Sequence, residues 1–349
     1  MFKYIIIFGL IIFAGCKQLY EPEIDSQHSA LVIQGILTTI PGEVKVKITQ
    51  AVPFDSTNNP IPVRGSFVTI FDDNNQEFPL YEDENGSYSN TGLYGQENGS
   101  YFLKVVTPDG NIYQSDIQMM PRKYNQDSIY AELTSKSTLV PTGNGDYVKT
   151  EVKGIETYVN LSSGGTELPK CRYESRITML YVYQLDKGAP PPTVYGWKSF
   201  NPNSKLNVTL SKFDRSIGVI SKHSINFFGN KIGFYYIDNE DAVIAGWLLS
   251  LTKYNISTET QKYYLDIKNQ IEASGKIFDP TPSQIIGNIK CITQPNKLVF
   301  GFFEVSNAEK LYYKYTYGTT NIPLISKGEF QGLSIDGESI DIPPPFWNN

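Results

Sequence analysis

The chain has 349 residues, a formal charge of −6 and 40% hydrophobic residues. A chain of this length exceeds a single core, because cores stop growing beyond about 250 residues, and the acidic balance without a basic stripe argues against nucleic acid as a partner. The 24 Tyr and 19 Phe favour strands over helices and predict a mostly β protein.

The N-terminus has the organisation of a secretory signal peptide. Lys3 precedes a nearly unbroken apolar run from Tyr4 to Phe13. This run is too short to span a bilayer, which takes about 20 residues. The charged, apolar and small-residue regions instead predict a signal peptide over residues 1–15 that is removed from the mature protein.

The end of this segment indicates a lipid anchor. Residues 13–16 read Phe-Ala-Gly-Cys, which resembles the lipobox, where a cysteine thiol receives diacylglycerol and becomes the mature N-terminus. We therefore expect lipidation at Cys16 and attachment to a membrane surface outside the cytoplasm. Two or three acyl chains anchor a protein stably, whereas one does so only marginally. The alternative is an ordinary secretory signal that ends in a chance cysteine.

Residues 16–29 are predicted to form a lipid-anchored tether, and residues 30–121 a first domain. Candidate strands lie at 31–39, 44–49, 67–71, 78–81, 99–106 and 112–115, separated by turn signals such as Asn85-Gly86. Six or seven short strands within about 90 residues favour an immunoglobulin-like β-sandwich.

Residues 122–349 are predicted to form a second β-rich domain with one helix packed on it. Candidate strands lie at 128–133, 147–161, 172–185, 205–210, 225–236, 247–256, 297–305 and 311–317. Prolines at 190–192 predict a loop, because proline cannot donate to a ladder. The helix is predicted near 257–274, where Ser257 offers capping chemistry and Tyr264, Ile267 and Ile271 recur along one face.

The two cysteines beyond Cys16 are Cys171 and Cys291. An even remainder in an exported protein predicts one disulfide between them. The alternative is two buried free thiols, because the sequence does not supply the geometry that a disulfide needs.

A set of motifs runs through the chain in a fixed order. The C-terminal part reads FDPTPSQIIGNIKC at 278–291, QPN at 294–296 and VFGFFEVS at 299–306; earlier parts include VRGSFVTIF at 63–71 and CRY at 171–173. Together they resemble the Bacteroidota lipoprotein family catalogued as domain of unknown function 4249 (DUF4249). The resemblance covers nearly the whole mature chain. It implies an outer-membrane lipoprotein found alongside TonB-dependent transporter barrels, and it implies no catalytic residues.

The sequence carries no motif of a known catalytic site. It lacks G-x-S-x-G, H-E-x-x-H, a phosphate loop and G-x-G-x-x-G. Its two histidines are His28, in the tether, and His223, which we place in a polar turn and expect to be solvated. Acidic clusters at 72–73, 82–84 and 238–241 lack the spacing of a calcium loop. We therefore expect no catalytic residues, no cofactor and no metal.

Aromatic side chains are the remaining candidates for binding. Tyr195, Trp197 and Phe200 follow the Pro-rich loop, and Trp347 follows three prolines near the C-terminus. Exposed rings of this kind stack on sugars or dock on partner proteins. The alternative is that they fold back over a sheet edge.

Three functional hypotheses follow. The first is a binding or assembly lipoprotein of the outer membrane, accessory to a TonB-dependent transporter. The second is a stand-alone carbohydrate-binding surface lipoprotein, and the third is a hydrolase with an unrecognised site, for example one with paired carboxylates.

Overall fold

The computed structural model describes residues 30–52, 59–143, 146–165, 167–184, 193–200, 206–209, 218–229, 242–273, 285 and 287–316. The predicted signal peptide, the tether with Cys16, and Trp347 lie outside these residues. Within them the chain forms strands and one α-helix, so the prediction of a mostly β protein is confirmed.

The strands of the first part are short. They are β1 (Leu31–Thr38), β2 (Lys45–Gln50), β3 (Phe67–Asp72), β4 (Glu77–Glu82), β5 (Ser87–Ser89), β6 (Ser100–Val106), β7 (Ile112–Ser115) and β8 (Gln118–Met119). The later strands are β9 (Asn125–Pro141), β10 (Tyr147–Ser162), β11 (Cys171–Gln184), β12 (Thr193–Phe200), β13 (Asn207–Val208), β14 (Val219–Gly229), β15 (Ala242–Asn255), β16 (Ile289–Cys291) and β17 (Val299–Thr316). Of these, β9, β10, β11, β15 and β17 are much longer than the strands of the first part.

A curled sheet encloses the first core. Its strands run in the order β1-β2-β5-β4-β3-β6-β7-β16. Along β6 the buried residues Tyr101, Leu103 and Val105 alternate with more exposed ones, which is the period of a sheet with one face on a core. These residues pack with the buried Ile33 and Phe303. The immunoglobulin-like detail stays a prediction.

Residues from the C-terminal part complete this first core. β17 pairs in parallel with β1, with Val299 opposite Leu31, and β16 pairs with β7, with Cys291 opposite Tyr113. The side chain of Asn288 forms two hydrogen bonds with the backbone of β17: its Nδ2 donates to Phe303 O (2.9 Å), and its Oδ1 accepts from Phe303 N (2.8 Å). Ile289, Cys291, Phe303 and Val305 thus lie in the same core as residues of β1 to β7. The division of the chain at residue 121 stays a prediction.

β17 then continues into a second sheet. From Asn307 onward it pairs with β15, and the order continues through β11 to β12. A separate sheet, β14-β10-β9, shares a second core with these strands. That core contains Val159, Leu161, Ile225 and Leu251.

The predicted helix is confirmed. Helix α1 spans Thr258–Ala273, and Ser257 Oγ accepts a hydrogen bond from Thr260 N at 3.1 Å, which is N-cap chemistry. The ring of Tyr263 stacks on Phe302 of β17, with centroids 4.6 Å apart. Leu265 joins a small cluster with residues of β1, β13 and β15. The helix therefore covers one face of the sheet at the point where β17 passes from the first core to the second.

Backbones approach very closely around Gly301. Its φ is +103°, and a Cβ at this position would lie 1.9 Å from the carbonyl oxygen of Ile33. A Cβ on Gly287 would lie 1.5 Å from the carbonyl oxygen of Gly301. Only a hydrogen atom fits in place of a side chain at these two positions. Glycine is therefore required at residues 287 and 301, where the backbones of residue 287, β17 and β1 lie against one another.

Candidate functional site

A buried ion cluster lies between the second sheet and α1. Arg172 and Glu304 are 4% and 1% exposed, and Arg172 Nη2 donates to Glu304 Oε1 at 3.2 Å. Arg172 Nη1 also donates to Glu174. The guanidinium carbon lies 3.9 Å from the ring centroid of Tyr254 and 5.0 Å from that of Tyr264. The cation is therefore held by two carboxylates and two aromatic rings.

The hydroxyl groups of the two tyrosines complete the cluster. Tyr264 OH donates to Glu304 Oε2 (2.6 Å), and Tyr254 OH donates to Glu174 Oε2 (3.1 Å). Burial opposes the charge of Arg172, but the combined coulombic attraction of Glu304, Tyr264, Glu174 and Tyr254 outweighs it and raises the pKa of Arg172. Burial, with Glu304 next, also raises the pKa of Tyr264. The cluster binds α1 to β11, β15 and β17, and its polar groups are largely occupied by one another.

The other face of β11 and β15 carries a second buried cation. Lys253 is 0% exposed, and its Nζ donates to the carbonyl oxygen of Tyr124 at 2.6 Å and lies 3.6 Å from Glu309 Oε2. Burial lowers the pKa of Lys253. Nearby, burial raises the pKa of the Cys171 thiol to about 12, so this cysteine is a thiol and not a nucleophilic thiolate at neutral pH.

The predicted disulfide between Cys171 and Cys291 is corrected by the structure, in which both cysteines are free and buried. Cys171 belongs to the second core and Cys291 to the first. Cys171 Sγ lies 3.6 Å from Asn255 Oδ1, and Cys291 Sγ lies 3.5 Å from Thr293 Oγ1. Because the two thiols lie in separate cores, the alternative of two buried free thiols is the one that the structure supports. The number of cysteines in the sequence does not reveal this separation.

The expectation of a solvated His223 in a polar turn is also wrong. His223 lies on β14, opposite Val159, and its ring is 5.6 Å from that of Tyr173. Its Nε2 is 2.8 Å from Asn207 Oδ1. Asn207 Nδ2 donates to the carbonyl oxygens of Ser224 and Ile225, so Oδ1 is free to accept and Nε2 carries the hydrogen.

This environment predicts a pH-dependent stability. Burial lowers the pKa of His223 from 6.5 to about 4, so the unfolded chain binds a proton at a higher pH than the folded chain does. Stability is therefore lost as the pH falls from about 6.5 towards 4. In urea unfolding, the wild-type protein should lose up to about 2 kcal/mol more than His223→Gln between pH 7 and pH 5. An equal loss in both proteins would contradict the assignment.

A two-stranded ribbon extends from the β14-β10-β9 sheet. β10 pairs with β14 over 154–162, whereas 147–153 pair with 135–141 of β9 and, among the described residues, with no third strand. We call these two segments the ribbon arm. Tyr147 and Leu139, near its tip, are 67% and 64% exposed, and Val148 is exposed as well. The ribbon arm thus presents apolar side chains to solvent.

The outer side of the curled sheet carries an aromatic surface. Phe67 and Tyr81 are 77% and 68% exposed. Phe71 and Phe102 lie opposite each other and stack, with centroids 4.9 Å apart. Phe67 with Tyr81 forms one aromatic row across the strands, and Phe71 with Phe102 forms another. Lys104 lies between these two rows, with its Nζ 5.9 Å from the centroid of Phe71. We call these five residues the aromatic face.

The aromatic residues singled out by the sequence are in part on a strand. Tyr195, Trp197 and Phe200 belong to β12, opposite Val182, Leu180 and Ile177 of β11. Among the strands that the structure describes, β12 is the last in the order of its sheet. Their role in binding stays a prediction, as do the roles of Trp347 and Cys16, which lie outside the described residues.

Sequence reasoning missed both the ribbon arm and the aromatic face. One available signal was the candidate strand at 147–161, which greatly exceeds the usual 5–6 residues. The other was the run Phe67-Val-Thr-Ile-Phe71, in which both alternating sets contain large apolar residues. When one set faces the core, the other must place aromatic rings outside.

No group of three or more His, Cys, Asp or Glu side chains suited to a metal ion occurs in the part of the chain that the structure describes. No helix there is long and apolar enough to span a bilayer.

The profile of a family described as "Domain of unknown function (DUF4249)" matches residues 17–311. A search of curated proteins gives no significant match.

Proposed function

The chain belongs to the DUF4249 family, and from this premise we propose that it is a lipid-anchored binding and assembly protein of the outer membrane, accessory to a TonB-dependent transporter. Cys16 would carry the anchor, and the folded part would contact the barrel. The observation that carries the assembly role is the ribbon arm with its exposed apolar tip.

The energetics of a ribbon support a docking role. An isolated two-stranded hairpin is only marginally stable in water, because neither of its faces is covered. In the ribbon arm, Tyr147 lies opposite Pro141 and Leu139 opposite Lys149. Tyr147 and Leu139 are exposed to solvent, although polar side chains at these positions would not lower the stability of the fold. Exposed aromatic and aliphatic groups at a protruding site are typical of protein interfaces.

The test is recovery of the partner from the native outer membrane. The lipidated protein, purified in mild detergent, should retain a TonB-dependent barrel in near one-to-one ratio, measured by mass spectrometry. Tyr147→Ser and Leu139→Ser should each lower barrel recovery about tenfold, since truncating an interface anchor costs more than about 1 kcal/mol. Both side chains are exposed, so thermal unfolding should be unchanged.

The matched control is Tyr81→Ser, because Tyr81 is as exposed as Tyr147 but lies on the curled sheet. It should leave barrel recovery unchanged. Purification of the wild-type protein without a barrel would refute the accessory role. Equal losses from Tyr81→Ser and Tyr147→Ser would refute docking through the ribbon arm.

A further inference from the structure

The aromatic face has an alternating order of side chains that the core does not require. Along β3, Phe67, Thr69 and Phe71 point away from the buried Val68 and Ile70. Lys104 lies opposite Thr69. A polar row therefore separates two aromatic rows. Four residues of strand place Phe67 and Phe71 about 13 Å apart, so the surface is longer than a single sugar ring.

Lys104 supplies a free positive charge at the centre of this surface. In the described part of the chain its Nζ forms no ion pair, although the whole protein carries a charge of −6. The neighbouring cation Lys290 is already 2.9 Å from Asp116. Glu77 lies opposite Phe71 at the β4 margin, so the site for an anion is confined to Lys104 and its polar row.

We infer that the aromatic face binds an acidic oligosaccharide, with a sugar carboxylate paired to Lys104 and sugar C–H faces packed on Phe67 and Tyr81. The row beside Lys104 adds Thr69 and Gln114, which lie in register with it and offer groups for sugar hydroxyls. This inference adds a ligand class to the proposed binding role. It depends on the proposed function only in that the protein must lie outside the cytoplasm, where it would meet such a ligand.

The arrangement fits a sugar better than a protein partner. The core of a protein interface is depleted of charge, whereas here a lysine lies in the middle of the surface. A polar row between aromatic rows matches a ligand that has both apolar C–H faces and many hydroxyl groups. A carboxylate on that ligand would gain a charge-assisted contact with Lys104 that a neutral sugar cannot make.

The experiment measures glycan binding by the full lipidated protein in detergent. Polygalacturonate, alginate and hyaluronate serve as probes in affinity electrophoresis, and carboxyl-reduced polygalacturonate is the neutral counterpart. At least one uronate polymer should bind. Lys104→Gln should weaken that binding about tenfold, Lys104→Arg should retain it, and Phe67→Ala should weaken it about tenfold as well. These residues are outside the core, so the variants should fold normally.

Lys45→Gln is the matched control, because Lys45 is exposed on β2 of the same curled sheet. It should leave binding unchanged. The inference is overturned if no uronate polymer binds, if the neutral polymer binds equally well, or if Lys45→Gln weakens binding as much as Lys104→Gln. Lys104→Gln should not affect barrel recovery, so the failure of this inference and the failure of the accessory role are separate results.

Discussion

Arg172→Met should lower the free energy of unfolding by about 3–5 kcal/mol, because it leaves the carboxylate of Glu304 buried without its cation. Glu304 is 1% exposed, so water cannot replace the lost partner. Tyr264 OH would still donate to Glu304, but a neutral donor does not compensate a buried charge. Urea unfolding followed by tyrosine and tryptophan fluorescence measures the loss.

Two further variants separate charge from packing. Glu304→Leu in the Arg172→Met background should recover at least about 2 kcal/mol, because it removes the unpaired charge. Lys262→Met breaks an exposed ion pair with Asp266 on α1 and should change stability by less than about 0.5 kcal/mol. If Arg172→Met were as mild as Lys262→Met, the cluster would not hold α1 to the sheet.

Gly301→Ala should be at least as damaging, with a loss above about 3 kcal/mol or no soluble folded protein. The new Cβ would lie 1.9 Å from the carbonyl oxygen of Ile33, and the φ of +103° is strained for any L side chain. Relief would require β1 and β17 to separate, which would break the parallel ladder between them. Thermal unfolding and soluble yield are the measurements.

Variants of two other glycines separate the cost of the backbone conformation from the cost of the steric clash. Gly110 has a φ of +80° but open space around it, and Gly165 also has open space. Gly110→Ala should therefore cost about 1–2 kcal/mol for the backbone conformation alone, and Gly165→Ala less than about 0.5 kcal/mol. If all three variants were equally stable, the close approach at Gly301 would not be rigid.

The strands of the first core were predictable because their signals are local. In β6, Tyr101, Leu103 and Val105 are buried in strict alternation, and the hairpin between β6 and β7 carries Pro108-Asp-Gly110 at its turn. The helix was predictable for the same reason, since Ser257 and Thr260 are three residues apart and cap it directly.

The errors concern contacts between residues that are distant in sequence. Segments 297–305 and 311–317 were predicted as two strands, but they form one strand, β17, because Asn307 and its neighbours pair with β15. The amino-acid composition of residues 306–310 does not predict the pairing of β17 with β15. His223 was misplaced likewise, since its partner Asn207 is known only from the fold.

The candidate surfaces were less predictable than the fold. Tyr195 and Trp197 are candidates because they follow prolines in the sequence, and their role stays a prediction. Exposure in general depends on what packs over a strand and not on its neighbours in sequence. Phe67 and Tyr81 come from different strands and share a surface only through the pairing of Val68 with Leu80. A surface assembled by register has no contiguous motif.

The parallel pairing of β1 with β17 imposes an order on folding. Leu31 lies opposite Val299, so β1 lacks its parallel neighbour until most of the chain has been synthesised. Contacts of such sequence separation close slowly. One edge of β1 therefore stays unpaired until β17 has been made. Binding of chaperones to that edge would be most valuable during this interval, since unpaired strand edges promote aggregation.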